Sequence, residues 1–220
     1  MTEISTSILT VEPGKELETF LALEKSKTDY FHIDVMDGKF VENNNYQKML
    51  EYSNYIKRIS NLPMDIHLMV EDVETAIKIF SAVEPNIITF HIEACKSDEE
   101  VFKMINLIKE HGSRVGIAIK PETPIEKVYK FLPYIHMCLV MTVEPGKGGQ
   151  TLIIDMLAKI EELKRHLEKN NLEVDIEVDG GINLKTVERV KKAGANVLVA
   201  GTAILAASDY KVIIDELKEN

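Results

Sequence analysis

Several things are scarce in this 220-residue sequence, and each shortage excludes a class of function. Cysteine is limited to Cys95 and Cys138, which form neither a disulfide framework nor a metal-ligand spacing; reduced thiols in a cytoplasmic protein are expected. Positive charge is in deficit, with 26 Lys and Arg against 36 Asp and Glu, a net charge of -10. That balance argues against a nucleic-acid partner or an anionic membrane surface. No apolar run approaches the roughly 18 residues that a membrane span needs. The opening "MTEISTSILT" has no basic-then-apolar leader pattern. No Ser/Gly linker, low-complexity tract or composition shift divides the chain, so one domain over residues 1–220 is expected. The G-x-G-x-x-G turn that usually follows the first strand of a dinucleotide-binding doubly wound sheet is also missing.

What is present is a regular alternation. Short apolar, β-branched runs lie at 5–9, 30–35, 64–69, 87–92, 114–119, 137–143, 174–178 and 197–201. Between them come charge-rich segments such as "DEEVFKMINLIKEHG" and "DMLAKIEELKRHLEKN", apolar at i, i+3, i+4 and i+7. Ser97 or Asp98 can cap one helix start, and Gly112 and Gly194 stand just past two helix ends. Eight strands alternating with helices in this length predict a single-domain (β/α)8 TIM barrel.

In such a barrel the site is built at the C-terminal ends of the strands, and the polar residues of this sequence collect there. Residues two apart on a strand share a face. The second run therefore presents His32 and Asp34 together, the third Asp65 and His67, the fourth His91 and Glu93, and the seventh Glu177 and Asp179. Barrel interiors are normally filled by Val, Ile and Leu, so four such pairs point to a metal site with a supporting shell. Two histidines and two carboxylates without thiolates suit a divalent transition metal such as zinc, iron, manganese or cobalt. Spacing alone does not choose the ligands. Alternation places Asp34, His67, Glu93 and Asp179 nearer the mouth, with His32 able to reach it if its strand is staggered.

Glycines mark the ends of the last three strands, in "EPGKGGQT" (144–151), "DGGIN" (179–183) and "AGT" (200–202). There the backbone N–H groups can approach a ligand closely, and the loops after strands 7 and 8 of such barrels often cradle phosphate. Lys120 and Glu144 each precede a proline at the ends of neighbouring strands, which holds both extended. An ion pair between them is expected. Lys147 lies between Gly146 and Gly148, in a loop able to close as a lid and bring an ammonium to a phosphate.

The segments "SIL" (7–9), "HIDVMDGKFV" (32–41), "DIHLMV" (65–70), "HIEA" (91–94), "PGKGGQ" (145–150), "EVDGGIN" (177–183) and "AGTAI" (200–204) resemble the ribulose-phosphate 3-epimerase family, in order and over nearly the whole chain. The resemblance implies a (β/α)8 barrel that interconverts D-ribulose 5-phosphate and D-xylulose 5-phosphate in the pentose phosphate pathway. It implies metal ligation by His32, Asp34, His67 and Asp179, which moves His32 into the ligand set in place of Glu93. Asp34 would accept the C3 proton and Asp179 donate one. Ser7 would contact substrate, and Gly146, Lys147, Gly148, Gly149, Gly180, Gly181, Gly201 and Thr202 would hold the phosphate. Met36, Met69 and Met141 would wall the intermediate. A homo-oligomer is expected, with a phosphorylated ketose as the small-molecule partner.

The sequence departs from the family at Lys147, where Phe is usual, at Thr202, where Ser is commoner, and in "ENNNY" after "GKFV". The nearest alternative is a 3-epimerase acting on a six-carbon ketose phosphate such as D-allulose 6-phosphate. A ketose-phosphate lyase is disfavoured by the absence of an Asp-x-Lys-x-x-Asp pattern.

Overall fold

The computed structural model describes residues 2–219. Eight parallel strands close into a barrel in chain order. They are β1 (Glu3–Ser7), β2 (Tyr30–Met36), β3 (Met64–Met69), β4 (Ile87–His91), β5 (Arg114–Ile119), β6 (Met137–Met141), β7 (Asp175–Asp179) and β8 (Val197–Ala200). The helices are α1 (Glu16–Lys25), α2 (Tyr46–Ile59), α3 (Val73–Phe80), α4 (Asp98–Glu110), α5 (Met156–Asn170), α6 (Val187–Ala193), α7 (Thr202–Leu205) and α8 (Tyr210–Glu219). The (β/α)8 expectation is met with one irregularity. Between β5 and β6 the chain makes two 3-10 turns, Ile125–Val128 and Leu132–Tyr134, in place of an α-helix. No helix is long and apolar enough to cross a membrane among the described residues.

The helices form because each has an apolar stripe to bury. In α4, Val101, Met104, Ile105 and Ile108 are buried at helical spacing, and the Ser97 hydroxyl caps the start by accepting from the Glu100 amide at 3.3 Å. α5 buries Met156, Ile160, Leu163 and Leu167 in the same way. The chain leaves α4 through Gly112 at φ +84° and α6 through Gly194 at φ +123°, a left-handed exit that glycine allows. The main core lies between these helices and the outer face of the sheet, where Phe20, Phe31, Phe80 and Phe90 are fully buried.

Inside the barrel the register stacks side chains in layers. Tyr30, Ile87, Met137 and Val197, from the even strands, close the floor as one apolar cluster. Above them the odd strands supply Ser5, Asp65, Gly116 and Glu177, and then the even strands supply His32 and Thr89. Gly116 is required by this stacking, because a Cβ there would lie 2.1 Å from the Thr89 hydroxyl oxygen. Polar layers rising on an apolar floor bring the remaining charged groups to the mouth.

Candidate active site

Four side chains from three strands meet at the mouth. His32, Asp34, His67 and Asp179 each offer a donor atom, and all four atoms lie within 4.8 Å of one another. β2 carries His32 and Asp34; β3 carries His67 directly opposite Asp34; β7 carries Asp179 from across the barrel. Asp34 Oδ1 is the crowded point: His67 Nδ1 lies 3.1 Å away and His32 Nε2 3.3 Å away. His67 Nδ1 is also 3.8 Å from Asp179 Oδ2. Glu93 stands outside this group, with its Oε2 3.0 Å from His91 Nδ1. The layering explains why simple alternation misplaces His32. Its ring spans two layers, with Nδ1 held below by Asp65 Oδ2 at 2.6 Å and Nε2 left facing up.

The supports of these atoms leave them able to ligate a cation. His32 Nδ1 faces a carboxylate, so it bears the proton of the neutral ring and Nε2 is left with a lone pair. That Nε2 is buried and makes no hydrogen bond. Burial works against charge on the His32 ring, yet the carboxylates of Asp65 and Asp34 raise its pKa well above the usual histidine range. A proton and a metal ion therefore compete for the same lone pair. Ligand type, number and convergence all fit a divalent transition metal.

The two aspartates are driven apart. Burial opposes ionisation of Asp34, but the neighbouring His32 charge overcomes it and holds its carboxyl below the ordinary range. Its other oxygen, Oδ2, accepts from the Ser7 hydroxyl at 2.9 Å. At Asp179 burial, then the neighbouring Asp34 charge, outweigh His32 and push its pKa up to about 7. One carboxylate is thus poised to accept a proton and the other to hold one. Beneath them, burial and the Asp65 carboxylate raise the Glu177 pKa well above its usual value.

The mouth opens on a cavity of about 280 Å³. Met36, Met69 and Met141 are buried along its wall, and the three glycine loops form its far side. Gly180 at φ +121° and Gly181 at φ +71° turn the chain after β7, and Thr142 Oγ1 ties down the Gly180 carbonyl at 2.6 Å. Gly146, Gly148, Gly149, Gly201 and Thr202 also line this cavity, and Lys147 stands exposed at its rim. Lys120 and Glu144 make no ion pair. The Lys120 ammonium lies 4.2 Å from the centre of the Phe40 ring, while Glu144 is exposed and its carbonyl accepts from Gln150 at 2.7 Å. Extended backbones at both positions set the strand ends but not the direction of two long side chains.

Sequence reasoning missed Asn45, whose side chain clamps the end of β2 by accepting from the Met36 amide at 2.8 Å and donating to the Asp34 carbonyl at 2.9 Å. It also missed Thr123, which donates to Glu93 Oε1. Asparagine three times running in "NNN" was the available signal for the first; nothing local marks the second. Asn43 Nδ2 of the same loop donates to the Gly146 carbonyl at 2.7 Å, joining the loops after β2 and β6. Val41 packs against Gly146 from the same side, where an added Cβ would come to 3.0 Å.

Comparison with known proteins gives the family. Residues 3–205 match the model of the ribulose-phosphate 3 epimerase family. A protein of Methanocaldococcus jannaschii named ribulose-phosphate 3-epimerase is 40% identical over 219 residues, covering 100% of this chain and 91% of that one. One of the same name from Bacillus subtilis is 37% identical, covering 99% of each. Among solved structures, a 3-hexulose-6-phosphate synthase superposes with a TM-score of 0.71 at 19% identity, covering 100% of this chain and 99% of the other, a likeness of fold. By family model and by full-length relatives alike, the chain belongs to the ribulose-phosphate 3-epimerase family and is an isomerase.

Proposed function

We propose that the chain is a metal-dependent 3-epimerase of D-ribulose 5-phosphate and D-xylulose 5-phosphate, serving the pentose phosphate pathway. The observation that carries this reading is the convergence of His32, Asp34, His67 and Asp179 within 4.8 Å. These four residues would hold the ion. When bound, a divalent transition metal supplies Lewis acidity that stabilises negative charge developing on the C2 oxygen of the ketose.

The rest of the reaction falls to the protein. Asp34, ionised, takes the C3 proton from one face of the sugar, and Asp179 returns one to the other face. Their strands approach the mouth from different sides of the barrel, so the two carboxyls flank a planar enediolate, and their roles exchange when the reaction runs backwards. Ser7 holds Asp34 Oδ2 and so restricts how that carboxylate turns. Met36, Met69 and Met141 offer polarizable walls that exclude water without offering a proton. Backbone N–H groups around Gly146 to Gly149, Gly180, Gly181, Gly201 and Thr202 hold the phosphate, with Lys147 closing over it.

Assay of the purified protein on both pentulose phosphates and on D-allulose 6-phosphate, before and after chelation, tests the reading. Chelator-sensitive epimerisation that favours the pentuloses is expected. Equal activity after exhaustive chelation refutes metal dependence, and preference for the hexulose refutes the substrate.

A further inference from the structure

Behind His67 runs a chain of polar contacts that the epimerase chemistry does not itself use. His67 Nε2 lies 2.9 Å from His91 Nε2, and His91 Nδ1 lies 3.0 Å from Glu93 Oε2. Glu93 Oε1 accepts from the Lys120 amide at 2.8 Å and from the Thr123 hydroxyl. Lys159 holds that loop in turn, donating to the carbonyls of Pro121 at 2.6 Å and Thr123 at 2.7 Å. His91 and His67 are both fully buried, and Phe40 covers the His91 ring at 4.9 Å between centroids.

We propose that His91 and Glu93 are positioning residues that fix the proton of His67 on Nε2 and so aim its Nδ1 lone pair at the metal. The proposal rests on the metal reading given above, and it adds which groups enforce the ligand's tautomer. The logic is an inventory of donors and acceptors. A backbone N–H can only donate and a carboxylate can only accept, so Glu93 is locked with Oε1 on Lys120 and Oε2 on His91. His91 Nδ1 therefore carries its ring's proton, and His91 Nε2 accepts. His67 Nε2 must then donate, which leaves Nδ1 bare at 3.1 Å from Asp34 Oδ1. Two acceptors pressed together there repel unless a cation lies between them. An outer carboxylate thus sets, through two rings, the form of a metal ligand.

Glu93→Gln reverses the relay with almost no change of shape. Its amide oxygen must stay on the Lys120 N–H, which turns the NH2 group towards His91 Nδ1. That nitrogen then accepts, His91 Nε2 donates, and the His67 proton is driven to Nδ1, into the metal position. Thr123→Val is the contrasting change, because it removes a bond to the same carboxylate and alters no donor order.

The test combines nitrogen NMR of 15N-histidine-labelled protein with cobalt(II) affinity measured by chelator competition. The six histidines keep the spectrum small, and His67 is assigned by its loss in His67→Gln. Wild type is expected to show His67 protonated on Nε2. Glu93→Gln should show it on Nδ1 and bind cobalt about 10–100-fold more weakly, while Thr123→Val keeps the Nε2 form and stays within a few-fold of wild type.

Wild-type His67 protonated on Nδ1 overturns the proposal even if Glu93→Gln does not fold. So does a Glu93→Gln protein with unchanged tautomer or unchanged affinity, or a Thr123→Val protein as impaired as Glu93→Gln. Failure of wild type to bind cobalt would overturn the metal reading alone; the nitrogen spectra need no metal and still decide the relay.

Discussion

Gly181 and Gly149 sit in neighbouring loops of the mouth with nearly the same backbone, at φ +71° and φ +74°. They differ in what surrounds them. A Cβ on Gly181 would lie 2.3 Å from the backbone nitrogen of Leu152, whereas one on Gly149 would meet nothing closer than Thr202 Oγ1 at 4.0 Å. Alanine at either position bears the left-handed conformation, about 1 kcal/mol. Only Gly181→Ala adds a backbone overlap, and overpacking of that kind costs about 1–3 kcal/mol. Local give is limited, because the Gly181 carbonyl is held by Thr186 Oγ1 at 2.8 Å and the Ile153 amide is bonded to the Thr142 carbonyl at 2.8 Å. Gly181→Ala should therefore lose about 2–4 kcal/mol against about 1 for Gly149→Ala. In a chain of this length each kcal/mol lowers Tm by about 2–4 °C. Thermal unfolding of both variants followed by circular dichroism measures the difference, and the same proteins give KM for the pentulose phosphate. Gly181→Ala should also raise KM more than it lowers kcat, because in the function proposed above the displaced loop holds the phosphate and not the reacting carbon. Equal Tm losses in the two variants would refute the steric reasoning. A normal KM in a destabilised Gly181→Ala would remove that loop from the phosphate site.

Four further outcomes follow from the site. Asp179→Asn should depress turnover at least about 100-fold in both directions with metal still bound, the loss of one acid–base partner; a rate within tenfold of wild type contradicts the two-base scheme. Metal affinity should weaken as pH falls, since the raised pKa of His32 means that its Nε2 proton must leave before a metal can bind, and chelator competition across pH measures the slope. His67→Ala should lose metal and activity together by elemental analysis. Lys147→Phe should raise KM several-fold with kcat nearly unchanged, an effect that shrinks with added salt because the lysine is exposed; an unchanged KM at low salt returns Lys147 to the solvent.

The eight strands were legible because parallel strands buried on both faces read as short apolar runs, and the polar pairs broke those runs at period two. His32 with Asp34 and Asp65 with His67 could be placed on one face from spacing alone. The height of each side chain in the barrel could not, because it depends on the shear between neighbouring strands, which no single strand encodes. That is why His32, anchored from below by Asp65, reaches the cluster at the mouth while Glu93 remains beyond it. The contact between His67 and His91 was hidden for the same reason. Lys120 shows a second kind of limit: a proline fixes the backbone before it, but a four-carbon stem still chooses among neighbours, and here it takes the face of an aromatic ring.

The junction between the loops after β2 and β6 bears on how this mouth could be remodelled. Asn43 is bonded to the Gly146 carbonyl, and Val41 lies 3.0 Å from where a Cβ on Gly146 would stand, a tight contact at a backbone of φ +114°. Barrel loops are often treated as interchangeable parts on an inert frame. These two are not separable: a transplanted β2 loop without a donor at position 43 would release its partner, and a side chain at 146 would press on residue 41 from a strained backbone. Grafts intended to change sugar length should therefore exchange both segments together. Libraries that vary one loop at a time will sample mostly mismatched halves.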